Sequence, residues 1–170
     1  MHSRRLSRRM SEPSPALPAL LKRAHAAIAD ARDVEAVRLL QQVLECDPGN
    51  LHAQYLLAIQ HAQLGLYERA EERLRAVLAR VPQFVVARFQ LAQLLLMRET
   101  AGDAREWLQP VLDAPAPLGD YARALHAAAG GDTAGACALI ESAQRLPQPV
   151  PELAADMRRL LGRWRADAAA

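Results

Sequence analysis

Apolar positions along this chain fall in stripes three or four residues apart, and proline, glycine or aspartate interrupts them at short intervals. Residues 51–64 show the pattern most cleanly, with apolar side chains at 51, 55, 58, 59 and 62 along one helical face. Gly65 breaks that stripe, a second runs over 67–80, and Val81-Pro82 ends it. The same reading predicts a helix over 15–30, capped by Ser14 with proline tolerated in its first turn, and a tight connection at 31–33 to a helix ending near Cys46. Asp47-Pro48-Gly49-Asn50 is a stop-and-turn signal, with Asn50 placed to cap the next helix. Further helices are expected over 84–98, 101–113, 118–129, 133–145 and 152–165, about nine in all. The last carries Leu153, Met157, Leu160, Leu161 and Trp164 on one face. Arg158, Arg159, Arg163 and Arg165 cover much of the rest, a division that suits a terminal cap.

Superimposed on these stripes is a long-range period. Alanine recurs at 36, 70, 104 and 136, spaced by 34, 34 and 32 residues, and Ala24, Ala58, Ala92 and Ala124 keep the same steps. So do Leu40, Leu74, Leu108 and Ile140, and Val43, Val77, Val111 and Ala143. Pro48 and Pro82 are 34 apart, and the aromatics Tyr55, Phe89 and Tyr121 follow the 34 and 32 steps. One alanine column means little in an alanine-rich chain, but several columns that share the final two-residue shortening define a repeat. A single helix pair cannot bury its apolar face, whereas stacked pairs build one continuous core. Alanine fits where two helix backbones approach within about 8–10 Å. The fold class expected is all-α, an α-α superhelix.

Composition agrees. The 170 residues are 51% hydrophobic but only 4% aromatic, a mix that favours closely packed helices over sheet. The net charge of +2 is uneven, since Arg4, Arg5, Arg8 and Arg9 precede any acid. Without them 17 basic side chains face 19 acidic ones, too even a balance for a large nucleic-acid face. Residues 1–14 read as a disordered basic and proline-rich tail, and Met10 is a plausible natural start. Residues 15–145 hold four helix pairs, and 146–170 a proline-rich linker and capping helix. Cys46 and Cys137 sit in no metal or redox spacing and read as packed thiols. No stretch is apolar for long enough to span a bilayer, and Pro13, Pro15 and Pro18 interrupt any signal-peptide core. A cytoplasmic protein is expected.

The 34-residue period, the small residues in two columns and the proline at the repeat end resemble the tetratricopeptide repeat (TPR). The best match is residues 51–84. Leu57-Ala58 resembles the family's Leu-Gly pair, Gly65-Leu66-Tyr67-Glu68-Arg69-Ala70 its turn-and-alanine motif, and Pro82 its terminal proline. The resemblance runs over about 17–145, four repeats, and departs at Glu99, which stands where the third repeat would carry the turn glycine. It implies a right-handed solenoid whose first helices line a concave groove. Carried over, the lining includes Leu21, His25 and Ile28; His52, Tyr55, Ile59 and Gln63; Val86, Phe89, Gln93, Leu96 and Met97; and Leu118, Tyr121 and Leu125. Positions where the family's chaperone-tail binders carry a basic clamp hold Leu21, His25, Leu56, Val86 and Gln90, so that acidic partner is not expected. The apolar lining is more similar to that of the TPR chaperones of bacterial type III secretion.

Chemistry is hard to find. There is no phosphate-binding glycine loop, no paired-cysteine or HExxH motif, and His52 and His61 lie about 13 Å apart on one helix, too far to share a metal. No enzyme, cofactor or metal site is expected. The function expected is protein–protein interaction, with an apolar or amphipathic partner segment held in the groove. Tyr55, Phe89 and Tyr121 are its candidate anchors, flanked by Leu21, Ile59, Val86 and Met97, with Arg88 and His52 at the rim. First helices lie about 10 Å apart, so apolar side chains every third residue of an extended peptide, or every seventh of a helix, match the spacing. Two alternatives stand beside this reading: a homodimer with the groove filled by its own chain, and a basic-tail contact with nucleic acid or an acidic membrane.

Overall fold

A computed structural model describes residues 16–98 and 100–169. The basic tail, its Met10 start, the Ser14 cap and the Glu99 departure lie outside the described residues. Within them are nine α-helices: α1 (Ala16–Ala29), α2 (Asp33–Cys46), α3 (Leu51–Gln63), α4 (Tyr67–Arg80), α5 (Val85–Met97), α6 (Ala101–Leu108), α7 (Leu118–Ala129), α8 (Thr133–Ala143) and α9 (Pro151–Ala169). The first eight form four hairpins stacked in chain order, each helix packed on the next, and α9 follows a proline-bearing connection. The architecture is an α-α superhelix of the TPR type.

The repeat seen in the sequence is a repeat of contacts. Ala24, Ala58, Ala92 and Ala124 are fully buried, as are Ala36, Ala70, Ala104 and Ala136. The Leu40 and Val43 columns are buried throughout. A methyl is the largest group that fits where the two backbones of a hairpin come this close. The hairpin turns repeat too. The backbone N–H of Arg32, Leu66, Thr100 and Asp132 donates to the carbonyl five residues back, at Ala27, His61, Leu95 and Ala127. This bond closes the first helix of each pair in a Schellman turn. The turn needs a residue of positive φ, filled by Gly65 at 74° and Gly131 at 92°. In the first repeat the same place is held by Ala31 at φ 54°. Side-chain caps begin two of the helices: Asn50 Oδ1 accepts from the Ala53 N–H at 3.0 Å, as expected, and Asp132 Oδ1 from Gly135 N–H at 2.8 Å.

Two boundaries differ from expectation. The helix expected over 101–113 ends at Leu108 and tightens into a 3₁₀ turn, Gln109–Val111. Pro110 is the reason, since it has no N–H to donate back to Glu106. The helix expected over 152–165 runs on to Ala169. The core also divides. One buried cluster joins α1, α2 and the first half of α3, and the other runs from Ala58 through α8 and takes in α9.

An L-residue in left-handed backbone costs about 1–2 kcal/mol, partly offset in glycine by the greater freedom it gives the unfolded chain. Replacing Ala31 by Gly is therefore expected to raise the stability of the first hairpin by about 0.5–1 kcal/mol. Urea denaturation followed by circular dichroism checks this, and a lower midpoint counts against the strained-turn assignment.

Candidate partner-binding groove

In a stack of helix pairs the first helices α1, α3, α5 and α7 form the inner wall. The wall is uneven. α5 (VVARFQLAQLLLM) is apolar on nearly every side, and Ala87, Phe89, Leu91, Ala92, Gln93, Leu94 and Leu95 are all buried. A helix apolar all round has to be covered all round. Neighbours α3, α4, α6 and α7 pack against it, and α9 stands across the cleft from its exposed side. The α9 face of Leu153, Met157, Leu160 and Leu161 belongs to the same buried cluster as Phe89, Tyr121 and Leu125. Each such side chain contributes about 1.5–3 kcal/mol when fully buried.

A polar knot at the α8–α9 connection sets the direction of α9. The Tyr121 hydroxyl donates to Gln148 Oε1 at 3.0 Å and accepts from Gln144 Nε2 at 2.9 Å. Gln144 Nε2 also donates to the Ala154 carbonyl at 3.0 Å, while its Oε1 accepts from Arg158 at 3.0 Å. Gln148 Nε2 returns to the Ala143 and Leu146 carbonyls, each at 2.8 Å. From there α9 reaches the inner wall as far as α3, where Asp156 and Gln63 line the same cleft. Burial pushes the Asp156 carboxyl above its ordinary range, and Glu152 adds to this, while Arg159 and Gln63 pull the other way. Tyr55 is half-buried beneath it, its ring 4.9 Å from that of Phe84. Burial, then the charge of Asp156, pushes its hydroxyl up to about 12.

The groove is therefore already occupied in part, which corrects the site expected from sequence. Phe89 and Tyr121 are fully buried and cannot anchor a partner. The Tyr121 hydroxyl is tied instead to Gln144 and Gln148 at the α8–α9 connection. Tyr55 is half-buried, and Gln93 is 9% exposed. Leu21 and His25 lie on α1 and His52 at the start of α3, away from the cleft described below. There the two imidazoles stack, with Nε2 atoms 3.1 Å apart, and burial followed by the charge of His25 lowers the His52 pKa. Val86 is half-buried at the start of α5.

What stays open is a cleft of 620 Å³ between the inner wall and the far half of α9. One side is Ile59, Ala62, Gln63, Tyr67, Gln90, Gln93, Leu94 and Met97. The other is Asp156, Arg159, Gly162, Arg163 and Ala166. Met97 is 40% exposed, as is Leu66 next to Tyr67. Of the expected residues the structure brings Ile59, Gln93 and Met97 together here, with Gln63. The α9 wall and Tyr67 were missed. Their signal was present in the all-round apolarity of α5 and the length of apolar helix after the prolines. Chemically the cleft has a greasy side and a cationic side, with Arg159 paired to Asp156 and Arg163 in no ion pair among the described residues.

Comparison with known proteins matches the family model described as tetratricopeptide repeat to residues 27–84, the part with the best-formed motifs. That segment carries the tetratricopeptide repeat. Solved structures agree on the fold of the chain. A MamA fragment from Desulfovibrio magneticus RS-1 is 16% identical, with a TM-score of 0.65 over 94% of this chain and 100% of that one. A MamA double mutant from RS-1 is 17% identical, with a TM-score of 0.65 over 92% and 98%. An O-GlcNAc transferase mutant from Thermobaculum terrenum is 23% identical, with a TM-score of 0.66 over 80% of this chain but 27% of its own. No curated protein matches the sequence. The TPR fold is a protein-interaction scaffold. No helix among the described residues is long and apolar enough to cross a membrane.

Two outcomes test this arrangement. Phe89→Ala should cost about 3–5 kcal/mol, as a buried ring does, with loss of helicity at moderate urea. Near-wild-type stability would return Phe89 to the exposed wall. Asp156 gives a pH signature. Its raised pKa means the folded chain holds a proton that the unfolded chain has lost, so this group's contribution to stability falls as pH rises from the ordinary carboxylate range through the raised value. Asp156→Asn should flatten that fall in urea midpoints measured from pH 3.5 to 7, and an unchanged profile would mean that α9 is not seated on α3.

Proposed function

We propose that this TPR chain is an adaptor that holds an amphipathic segment of another protein in the cleft between α3, α5 and α9. The open space between Ile59, Leu94 and Met97 on one side and Arg159 and Arg163 on the other carries the reading. Apolar side chains of the partner, every third residue of a strand or every seventh of a helix, would enter the greasy side, and acidic ones would meet the arginines. The seat is shorter than the full inner wall, because Phe89 and Tyr121 are already buried. The adaptor acts without catalysis and in the cytoplasm on this reading. A basic clamp for chaperone tails is absent from the inner helices; the cations here come from α9.

A second reading is self-association. It draws on the fact that the segment seated on the inner wall is the chain's own, so two copies could exchange α9 across the 146–150 connection. Light scattering over a hundredfold range of concentration separates the two, since exchange yields a dimer and the adaptor alone stays monomeric.

Met97→Arg places a bulky charge in the cleft without touching the core. Proteins from the native host that bind the immobilised wild-type chain should bind the variant at least tenfold more weakly, with circular dichroism unchanged. Equal retention by both chains would remove the cleft from the binding function.

A further inference from the structure

A second opening lies on the other side of α3, where the second helices α2 and α4 part. It has a volume of 340 Å³, and its lining is polar: Gln41, Gln54, His61, Arg69, Glu72 and Arg73. Nothing in the adaptor reading uses it. His61 is 3% exposed, and its Nδ1 has no hydrogen-bond partner among the described residues. A buried polar atom left alone costs about 1–3 kcal/mol, and native folds rarely leave one without a use. Arg69 and Arg73 stand one turn apart on α4, and neither makes an ion pair among the described residues. Their neighbours differ: Arg75 pairs with Glu71 at 2.8 Å, and Arg98 with Glu68 at 3.1 Å. Glu72 lies on the same rim, so two guanidiniums stand against one carboxylate.

We propose that this crevice binds an oxyanion, phosphate or carboxylate, between the Arg69 and Arg73 guanidiniums, with His61 Nδ1–H and the Gln41 amide as further donors; the Gln54 amide on the same wall already donates to the Pro48 carbonyl at 2.7 Å. Guanidinium forks match the paired oxygens of both groups, and Arg is chosen over Lys where that match matters. Burial, Arg73 and Arg69 all lower the His61 pKa, so the ring is neutral and has one N–H to give. An anion completes what the fold leaves open: it neutralises the arginine pair and gives the buried ring nitrogen its partner. Glu72 opposes the ligand and limits its affinity.

The test uses the full chain in potassium phosphate, sodium citrate or sodium chloride at matched ionic strength, by thermal melting and calorimetric titration. Phosphate or citrate should raise the melting temperature where chloride does not, and the stronger of the two identifies the source of the oxyanion. Arg69→Gln with Arg73→Gln should weaken binding at least tenfold with helicity unchanged, and Glu72→Gln should tighten it several-fold. In the wild type, the His61 imidazole ¹⁵N resonances should move with the titration. The proposal is overturned if chloride matches both oxyanions, if the double variant binds as well as wild type, or if His61 stays silent while binding persists.

Discussion

The closeness of paired helices is the constraint from which the rest of this molecule follows. Eight alanines, four on the first helices and four on the second, sit fully buried at the hairpin contacts. Because a methyl fills each contact, the hairpins are thin, and the larger side chains of the Leu40 and Val43 columns are displaced to the interfaces between hairpins. Thin hairpins stacked by those interfaces give a curved wall rather than a closed globule. A curved wall has an inner face with nothing of its own to cover it.

How that face is treated decides the chemistry. Around α1 the wall ends in polar groups, the stacked His25 and His52, and needs no cover. Around α5 and α7 it does not, since Phe89, Leu94, Tyr121 and Leu125 lie on helices with too few polar positions to face water. α9 resolves the difference. Its apolar face seals the second half of the wall, and the Tyr121, Gln144 and Gln148 hydrogen bonds turn the chain toward it. An ion pair of Arg165 with Glu141 on α8 steadies the far half of the helix. The cleft is the place where this seal is incomplete.

The repeat, the hairpins and the buried columns were legible in the sequence because they depend on spacing and residue size, which repeat with the chain. The irregular places have other causes. Pro110 ends α6 early by removing a single N–H, a local event inside a strong apolar stripe. Ala31 takes the left-handed turn place because its turn is held by the Arg32 to Ala27 bond, not by its own preference. The site was less legible. Phe89 and Tyr121 follow the repeat, but whether such a residue is exposed depends also on a helix some thirty residues or more downstream, whose apolar face shares their buried cluster. No column of the repeat encodes where that helix lies. The sum of apolarity does: α5 has more apolar faces than its hairpin can cover, and α9 offers an apolar face without a hairpin partner.

The two openings differ in the kind of selectivity they can offer. The inner cleft sits beside a helix that is itself a bound amphipathic segment, so its greasy side admits many sequences of similar pattern, and discrimination falls to Arg159 and Arg163. Apolar pockets reject a wrong side chain by only about 1–3 kcal/mol. The crevice between α2 and α4 is the reverse, small and polar, with a buried ring nitrogen that is costly to leave alone. Selection there rests on hydrogen bonds that a mismatched ligand leaves unmade, which is the stronger filter. Because α3 presents Ile59 and Gln63 to one opening and Gln54 and His61 to the other, a single helix forms a wall of both.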